Sequence, residues 1–271
     1  MTTFVDRSIT INPLSGDLIM LTHPLFEQLK TLRFQGMLEA FQEQLQAPDI
    51  NRLSFDERFA LLIEREYLTR ENRKLINRLR QARLKEPDAC IEDIDYSLER
   101  QLSKTVITRL TECSWIARKE NVLITGSTGA GKTYLACAFA NQACRQGYGA
   151  RYIRLPKLFQ AITIAKADGS YIKLMEYVAK LPLLVLDDWG IAPMNDANRR
   201  DLLEIIDDRY HQSSTLITSQ LPVKSWHDSI GDATLGDAIL DRLIHNAHRI
   251  EVQGPSMREI IAKKTNKKEF L

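Results

Sequence analysis

Gly126-Ser127-Thr128-Gly129-Ala130-Gly131-Lys132-Thr133 decides how this chain is read. The stretch fits the pattern G-x-x-x-x-G-K-[ST] at every position. Its glycines let the backbone curl so that successive amides point inward at phosphate oxygens. A helix beginning near Gly131 adds the positive end of its dipole. Lys132 suits the β- and γ-phosphates of a nucleoside triphosphate, and the Thr133 hydroxyl suits its magnesium. A chance glycine-rich turn would lack the flanking elements. Here Val122-Leu123-Ile124-Thr125 reads as a strand before the loop, and Lys132–Gln146 as a helix after it. Gly126, Ser127, Thr128, Gly129, Ala130, Gly131, Lys132 and Thr133 are therefore expected to cradle the phosphates of ATP.

The second half of such a site is an apolar strand ending in acid. Leu183-Leu184-Val185-Leu186-Asp187-Asp188 supplies it. Asp187 is expected to hold magnesium beside Thr133, and Asp188 to orient the attacking water. Further strands are expected at Ala150–Leu155, Thr215–Ser219 and Arg249–Val252, separated by helical segments up to about Ala179, at Asn198–Tyr210, at Gly236–Ile244 and from about Ser256. Strands alternating with helices predict an α/β fold with a five-stranded parallel sheet covered on both faces.

Residues 1–115 have a different texture and read as an all-α N-terminal domain, with residues 116–271 forming the α/β domain and its basic tail. Leu25–Gln46 is one amphipathic stretch ending before Pro48. Ser54-Phe55-Asp56-Glu57 is a capping box that starts a helix running to about Lys85. Leu61, Leu68, Leu75, Leu79 and Ala82 share one face of it. Arg70, Arg73, Lys74, Arg78 and Arg80 occupy the broad opposite side. A further helix is expected from about Tyr96 to Cys113. Tyr148, Tyr152 and Phe159 read as core residues. Trp115 reads as a core tryptophan at the domain junction, with adenine contact as the alternative.

The net charge of +2 over 271 residues says little, but its distribution says more. Arg65 to Lys85 holds eight bases and two acids, Glu86 to Glu99 six acids and no base, and Arg258 to Leu271 five bases and two acids. Such segregation points to electrostatic partners, nucleic acid first. The basic helix face is expected to contact phosphates of duplex DNA without reading sequence. The scattered Cys90, Cys113, Cys137 and Cys144 read as reduced thiols. The chain shows no apolar run of membrane-spanning length and no signal-peptide core, which makes the cytoplasm the expected compartment.

The basic helix, Cys113-Ser114-Trp115-Ile116-Ala117-Arg118, the phosphate loop, Asp187-Asp188-Trp189-Gly190, Leu216 to Pro222 and Ile239-Leu240-Asp241-Arg242-Leu243 together resemble the IstB family. These are AAA+ helper ATPases of bacterial insertion sequences, relatives of DnaC-type helicase loaders. The resemblance covers about Leu25 to Ala262. It implies an AAA+ P-loop ATPase that assembles into homo-oligomers on DNA and assists a transposase. It also implies that Ser219 and Gln220 sense the γ-phosphate, that Arg242 is an arginine finger for a neighbouring subunit's ATP, and that Arg258 is a second nucleotide-sensing arginine. A helicase loader with the same core is the alternative, distinguished by preference for single-stranded DNA and a helicase. A P-loop kinase of small metabolites is disfavoured by the large charged helical region.

Overall fold

The structure, a computed structural model, describes residues 17–96, 102–254, 256 and 257. Its contacts divide the chain into two compact units, Met1–Lys74 and Leu75–Leu271. The first unit holds α1 (Asp17–Thr31), α2 (Gln35–Gln46) and the start of α3 (Phe55–Ala82). The stretch expected as one helix over Leu25–Gln46 is thus two. Arg33 takes a left-handed φ of 59°, and the Phe34 amide donates back to the Leu29 carbonyl at 2.9 Å. This closure normally uses glycine at the left-handed position. Arginine there leaves no stop signal, and the apolar period runs on through the break.

The capping box forms as expected. Ser54 N–H donates to Glu57 Oε2 at 2.7 Å, and Glu57 N–H to Ser54 Oγ at 3.3 Å. α2 meets α3 at Gly36, where a Cβ would lie 2.5 Å from Thr69 Oγ1 and 2.7 Å from the Arg65 carbonyl oxygen. Leu61 and Leu68, on the shared apolar face, are 45% and 50% exposed.

In the second unit the apolar face of α3 continues as expected. Leu75, Leu79 and Ala82 pack into the core of the sheet, together with Ile107 and Leu110 of α4 (Lys104–Thr111) and Trp115 and Ile116 of α5 (Ser114–Ala117). The change of sequence texture at Trp115 and the division of contacts at Lys74 therefore fall at different places. Part of the helix expected from Tyr96 lies outside the described residues; the described helix begins at Lys104, with Ser103 Oγ accepting the Val106 amide at 3.4 Å.

Next come β1 (Asn121–Gly126), α6 (Lys132–Arg145), β2 (Ala150–Arg154), α7 (Leu155–Asp168), α8 (Tyr171–Lys180), β3 (Leu183–Trp189), α9 (Asp196–Arg209) and β4 (Ser214–Ser219). The described chain continues with α10 (Trp226–Ile230), α11 (Ala233–Ile244) and β5 (Ala247–Val252). The sheet is parallel, in the order β2-β3-β4-β1-β5. Val122, Ile124, Val185 and Leu216 bury one face against Leu135 and Phe139 of α6. Leu123, Leu184, Leu186 and Ile217 bury the other against Leu158, Ile162, Ile205 and Ile239. Coverage on both faces is why β1 and β3 read as continuous apolar runs. The short α10 has no counterpart in the expected elements. The expected helix beyond Met257, with Arg258, lies outside the described residues.

Candidate functional site

Parallel sheets place ligand crevices at the carboxyl ends of their strands. Here β1 ends in the glycine-rich loop, and β3, two places along, ends in the paired aspartates. Gly126 has φ 148°, and a Cβ on it would sit 2.1 Å from the Val252 carbonyl oxygen of β5. Gly131, also left-handed at φ 94°, turns the loop into the first turn of α6. Any side chain at 126 would push loop and strand apart.

Lys132 is buried at the start of α6 and donates to the carbonyls of Gly126 and Ser127, both at 2.8 Å. Burial lowers its pKa, while the charges of Asp187 and Asp188 oppose that shift. Thr133 Oγ1 donates towards both Asp187 oxygens, at 3.2 and 3.1 Å. Asp187 is 1% exposed. Its other donors are Tyr152 OH, 2.5 Å from Oδ2, and the Thr218 hydroxyl on Oδ1. Tyr152 was expected as core only. It is buried, and its phenol is pushed well above the usual range first by burial and then by the bond to Asp187.

Asp188 takes φ 66°, a conformation rare for a residue with a Cβ. Strain of this kind costs about 1–3 kcal/mol and gathers at functional sites. The turn aims the carboxylate at Arg154, whose Nε donates to Oδ2 at 2.5 Å. That pairing raises the Arg154 pKa. Neither Arg154 nor Thr218 stood out in the sequence. The pairing of β2 with β3, which sets Arg154 opposite Asp187, is what brings Arg154 to the site.

Of the two expected γ-phosphate sensors, Gln220 faces the loop and accepts the Thr128 hydroxyl at 2.8 Å. Ser219 does not. Its buried hydroxyl donates to the Trp189 carbonyl at 2.9 Å and accepts the Leu221 amide at 3.0 Å. The loop's outer side carries the chain beyond β5, where the Met257 amide donates to the Gly129 carbonyl at 2.9 Å. A cleft of about 350 Å³ continues from Gly129, Lys132 and Thr133 to Glu86, Asp93, Ile94, Asp95 and Tyr134. Trp115 is elsewhere, 1% exposed with its indole N–H on the Leu110 carbonyl at 3.0 Å. The core reading of Trp115 therefore holds.

Arg242 lies far from this crevice. On α11, its own carbonyl and that of Leu243 accept from Asn121 Nδ2 at 3.4 and 3.2 Å, at the amino end of β1. Its guanidinium pairs with Asp207 at 2.6 Å and bonds the Ala238 carbonyl at 2.8 Å.

The basic face of α3 divides by role. Arg70 pairs at 2.6 Å with Glu66, which also accepts the Met37 amide at 3.1 Å. Arg78 was expected to face outward; it is half-buried, and Nε donates to the Cys144 carbonyl at 2.8 Å near the end of α6. Lys74 pairs with Glu71 at 2.8 Å and is 63% exposed. Arg73 and Arg80 are exposed, Arg80 touching Asn77 at 3.2 Å.

Residues 27–267 match the family model of IstB-like ATP binding proteins. The chain belongs to that family. Its IstB-like sequence is 46% identical over 88% of its length to the insertion sequence ATP-binding protein y4pL of Sinorhizobium fredii, covering 97% of that relative. In fold it is similar to DnaI, with a TM-score of 0.54 at 23% identity over 61% of this chain and 91% of DnaI. It is also similar to the replication initiator DnaA, with a TM-score of 0.52 at 18% identity over 67% of this chain and 55% of DnaA. The IstB-like chain thus has the AAA+ P-loop fold that its motifs predict. Among the described residues, no helix is long and apolar enough to cross a membrane.

The donor set fits a magnesium nucleotide. Thr133 and Asp187 offer hard oxygen ligands side by side, and magnesium takes one or two protein oxygens with phosphates and waters. Lys132 and the loop amides are groups suited to phosphate, and the adjoining cleft extends beyond the loop.

Proposed function

We propose that this chain is an ATPase, stimulated by DNA and by oligomerisation, that binds duplex DNA largely without regard to sequence, assembles on it and assists a transposase. One observation carries the ATPase reading: Lys132, Thr133, Asp187 and Asp188 converge at the carboxyl ends of β1 and β3. The transposase comes from the family, whose relatives are named for insertion sequences.

In this reading Lys132 leaves its carbonyl partners to neutralise the β- and γ-phosphates. Thr133 and Asp187 would hold magnesium, which when bound neutralises charge developing on the transferred phosphoryl group. Asp188, freed from Arg154, orients the attacking water and takes its proton. Gln220, beside Thr128, reads the γ-phosphate. Arg242 serves a neighbouring subunit, and Arg258, the next residue in the sequence after Met257, senses the nucleotide. Arg70, Arg73, Lys74 and Arg80 supply phosphate contacts on DNA, while Arg78 contributes charge from a half-buried setting.

Lys132→Ala should abolish ATP binding. Asp188→Asn should bind ATP and stop turnover, because an amide cannot accept the water's proton. Wild-type hydrolysis by Asp188→Asn would refute the assignment. Tighter binding to single-stranded than duplex DNA, with recruitment of a replicative helicase, would replace the transposition reading with that of a loader.

A further inference from the structure

Asp187 hangs from the middle of three neighbouring strands, β2, β3 and β4. From β2, Tyr152 OH donates to Oδ2 at 2.5 Å. From β4, the Thr218 hydroxyl donates to Oδ1. From the start of α6, Thr133 Oγ1 lies 3.2 and 3.1 Å from the same two oxygens. An ionised carboxylate only accepts, so each of these hydroxyls must give its hydrogen to Asp187.

The terminal torsion of an aspartate is soft and roughly two-fold. A single donor would leave the carboxylate free to turn about that bond. Two donors, one per oxygen and from opposite flanking strands, fix its plane and leave the Thr133 side as the approach for a cation. A phenylalanine would fill the space of Tyr152 equally well, since the ring is already buried in the core cluster and the residue is paired with Val185 of β3. The hydroxyl group therefore needs a reason other than packing, and its partner in the structure is Asp187.

We propose that Tyr152 is a positioning residue for the nucleotide-bound divalent cation: with Thr218 opposite, its phenol holds the Asp187 carboxylate in the orientation that receives the metal. This rests on the nucleotide-site reading above. Partners that orient metal ligands typically change metal affinity by roughly 10–100-fold when removed. Because Lys132 and the loop amides are untouched, metal-free nucleotide affinity is independent of Tyr152.

The test uses the full chain, a fluorescent ATP analogue and manganese followed by electron paramagnetic resonance. Tyr152→Phe should bind the analogue in chelator as the wild type does. Its complex should bind manganese roughly 10–100-fold more weakly. Excess magnesium should restore hydrolysis, because the lesion is one of metal occupancy. Thr218→Val should behave similarly, whereas Thr218→Ser, which keeps the hydroxyl, should stay near wild type. Near-ultraviolet circular dichroism reports folding, and Thr218→Val with its serine control carries the test if Tyr152→Phe does not fold. Wild-type manganese affinity in a folded Tyr152→Phe protein overturns this proposal alone. Absence of metal-dependent nucleotide binding in the wild type overturns the site reading and this proposal with it.

Discussion

Replacing Arg242 by alanine should leave ATP binding intact and slow hydrolysis severely. The guanidinium cannot reach its own chain's phosphate loop. Arg242 is tied through its carbonyl to Asn121, at one end of β1, and the loop begins at Gly126, the other end. Five residue steps of strand span roughly 16 Å at about 3.3 Å each. An arginine serving a neighbour's γ-phosphate commonly contributes ~10³–10⁵ in rate. That is about 4–7 kcal/mol of barrier at about 1.4 kcal/mol per tenfold. The structural loss is far smaller. The Asp207 ion pair has side chains 29% and 58% exposed, and pairs of that kind give up to about 1 kcal/mol. In a unit of this size that is a melting shift of roughly 2–4 °C. Unfolding therefore cannot imitate the kinetic effect. The assay is turnover per subunit against protein concentration, with and without duplex DNA. Wild-type turnover should rise with both, and Arg242→Ala should stay slow throughout. Mixing Arg242→Ala with Asp188→Asn should recover activity, because some interfaces then pair an intact Asp188 with an intact Arg242. Mixtures that co-assemble yet show only the sum of two inactive proteins would refute action between subunits.

Three further outcomes follow from particular side chains. Arg73, Lys74 and Arg80 changed together to glutamine should weaken duplex binding equally across sequences and flatten the salt dependence by up to ~0.9 per lost phosphate contact, measured by anisotropy titrations; Arg78→Gln should also lower the melting temperature, because it loses the Cys144 carbonyl. Arg209→Leu should destabilise the sheet unit without touching the nucleotide site. Arg209 is 1% exposed and donates to the Val178, Leu181 and Ser214 carbonyls and to Thr215 Oγ1. Burial drives its pKa down to about 9, so the side chain relies on these acceptors. Stranding them should cost about 3–5 kcal/mol, given ~1.5–3 kcal/mol per bond to a charged group and relief from burying the charge. Melting should fall by roughly 6–20 °C.

The phosphate loop was legible because its chemistry is written in eight consecutive residues. Glycine spacing, lysine, threonine and flanking strand and helix are all local. The central strands β1 and β3 were legible for a related reason: burial on both faces makes Val122-Leu123-Ile124 and Leu183-Leu184-Val185-Leu186 unbroken apolar runs, and the acids ending β3 stand out against the second. Local pattern failed at Arg33, where a left-handed arginine stops a helix without glycine. It was silent at Leu61 and Leu68, where periodicity named an apolar face but not whether anything covers it. Ser219 and Thr218 show the same limit at the site itself. Adjacent residues of one strand face opposite sides, and which hydroxyl meets Asp187 depends on how β4 lies against β3.

By itself, then, the amino-acid order determined the triphosphate loop, the paired acids, the alternation of strands and helices and the basic face of α3, because each is a pattern within one element. Only the tertiary structure decided that Tyr152 and Thr218 clamp Asp187, that Arg154 holds Asp188 and that Arg242 sits at the far end of β1 from the loop. These contacts join residues about thirty or more positions apart. They depend on strand order and register, which follow from the closing of the whole sheet rather than from any neighbouring residues in the chain.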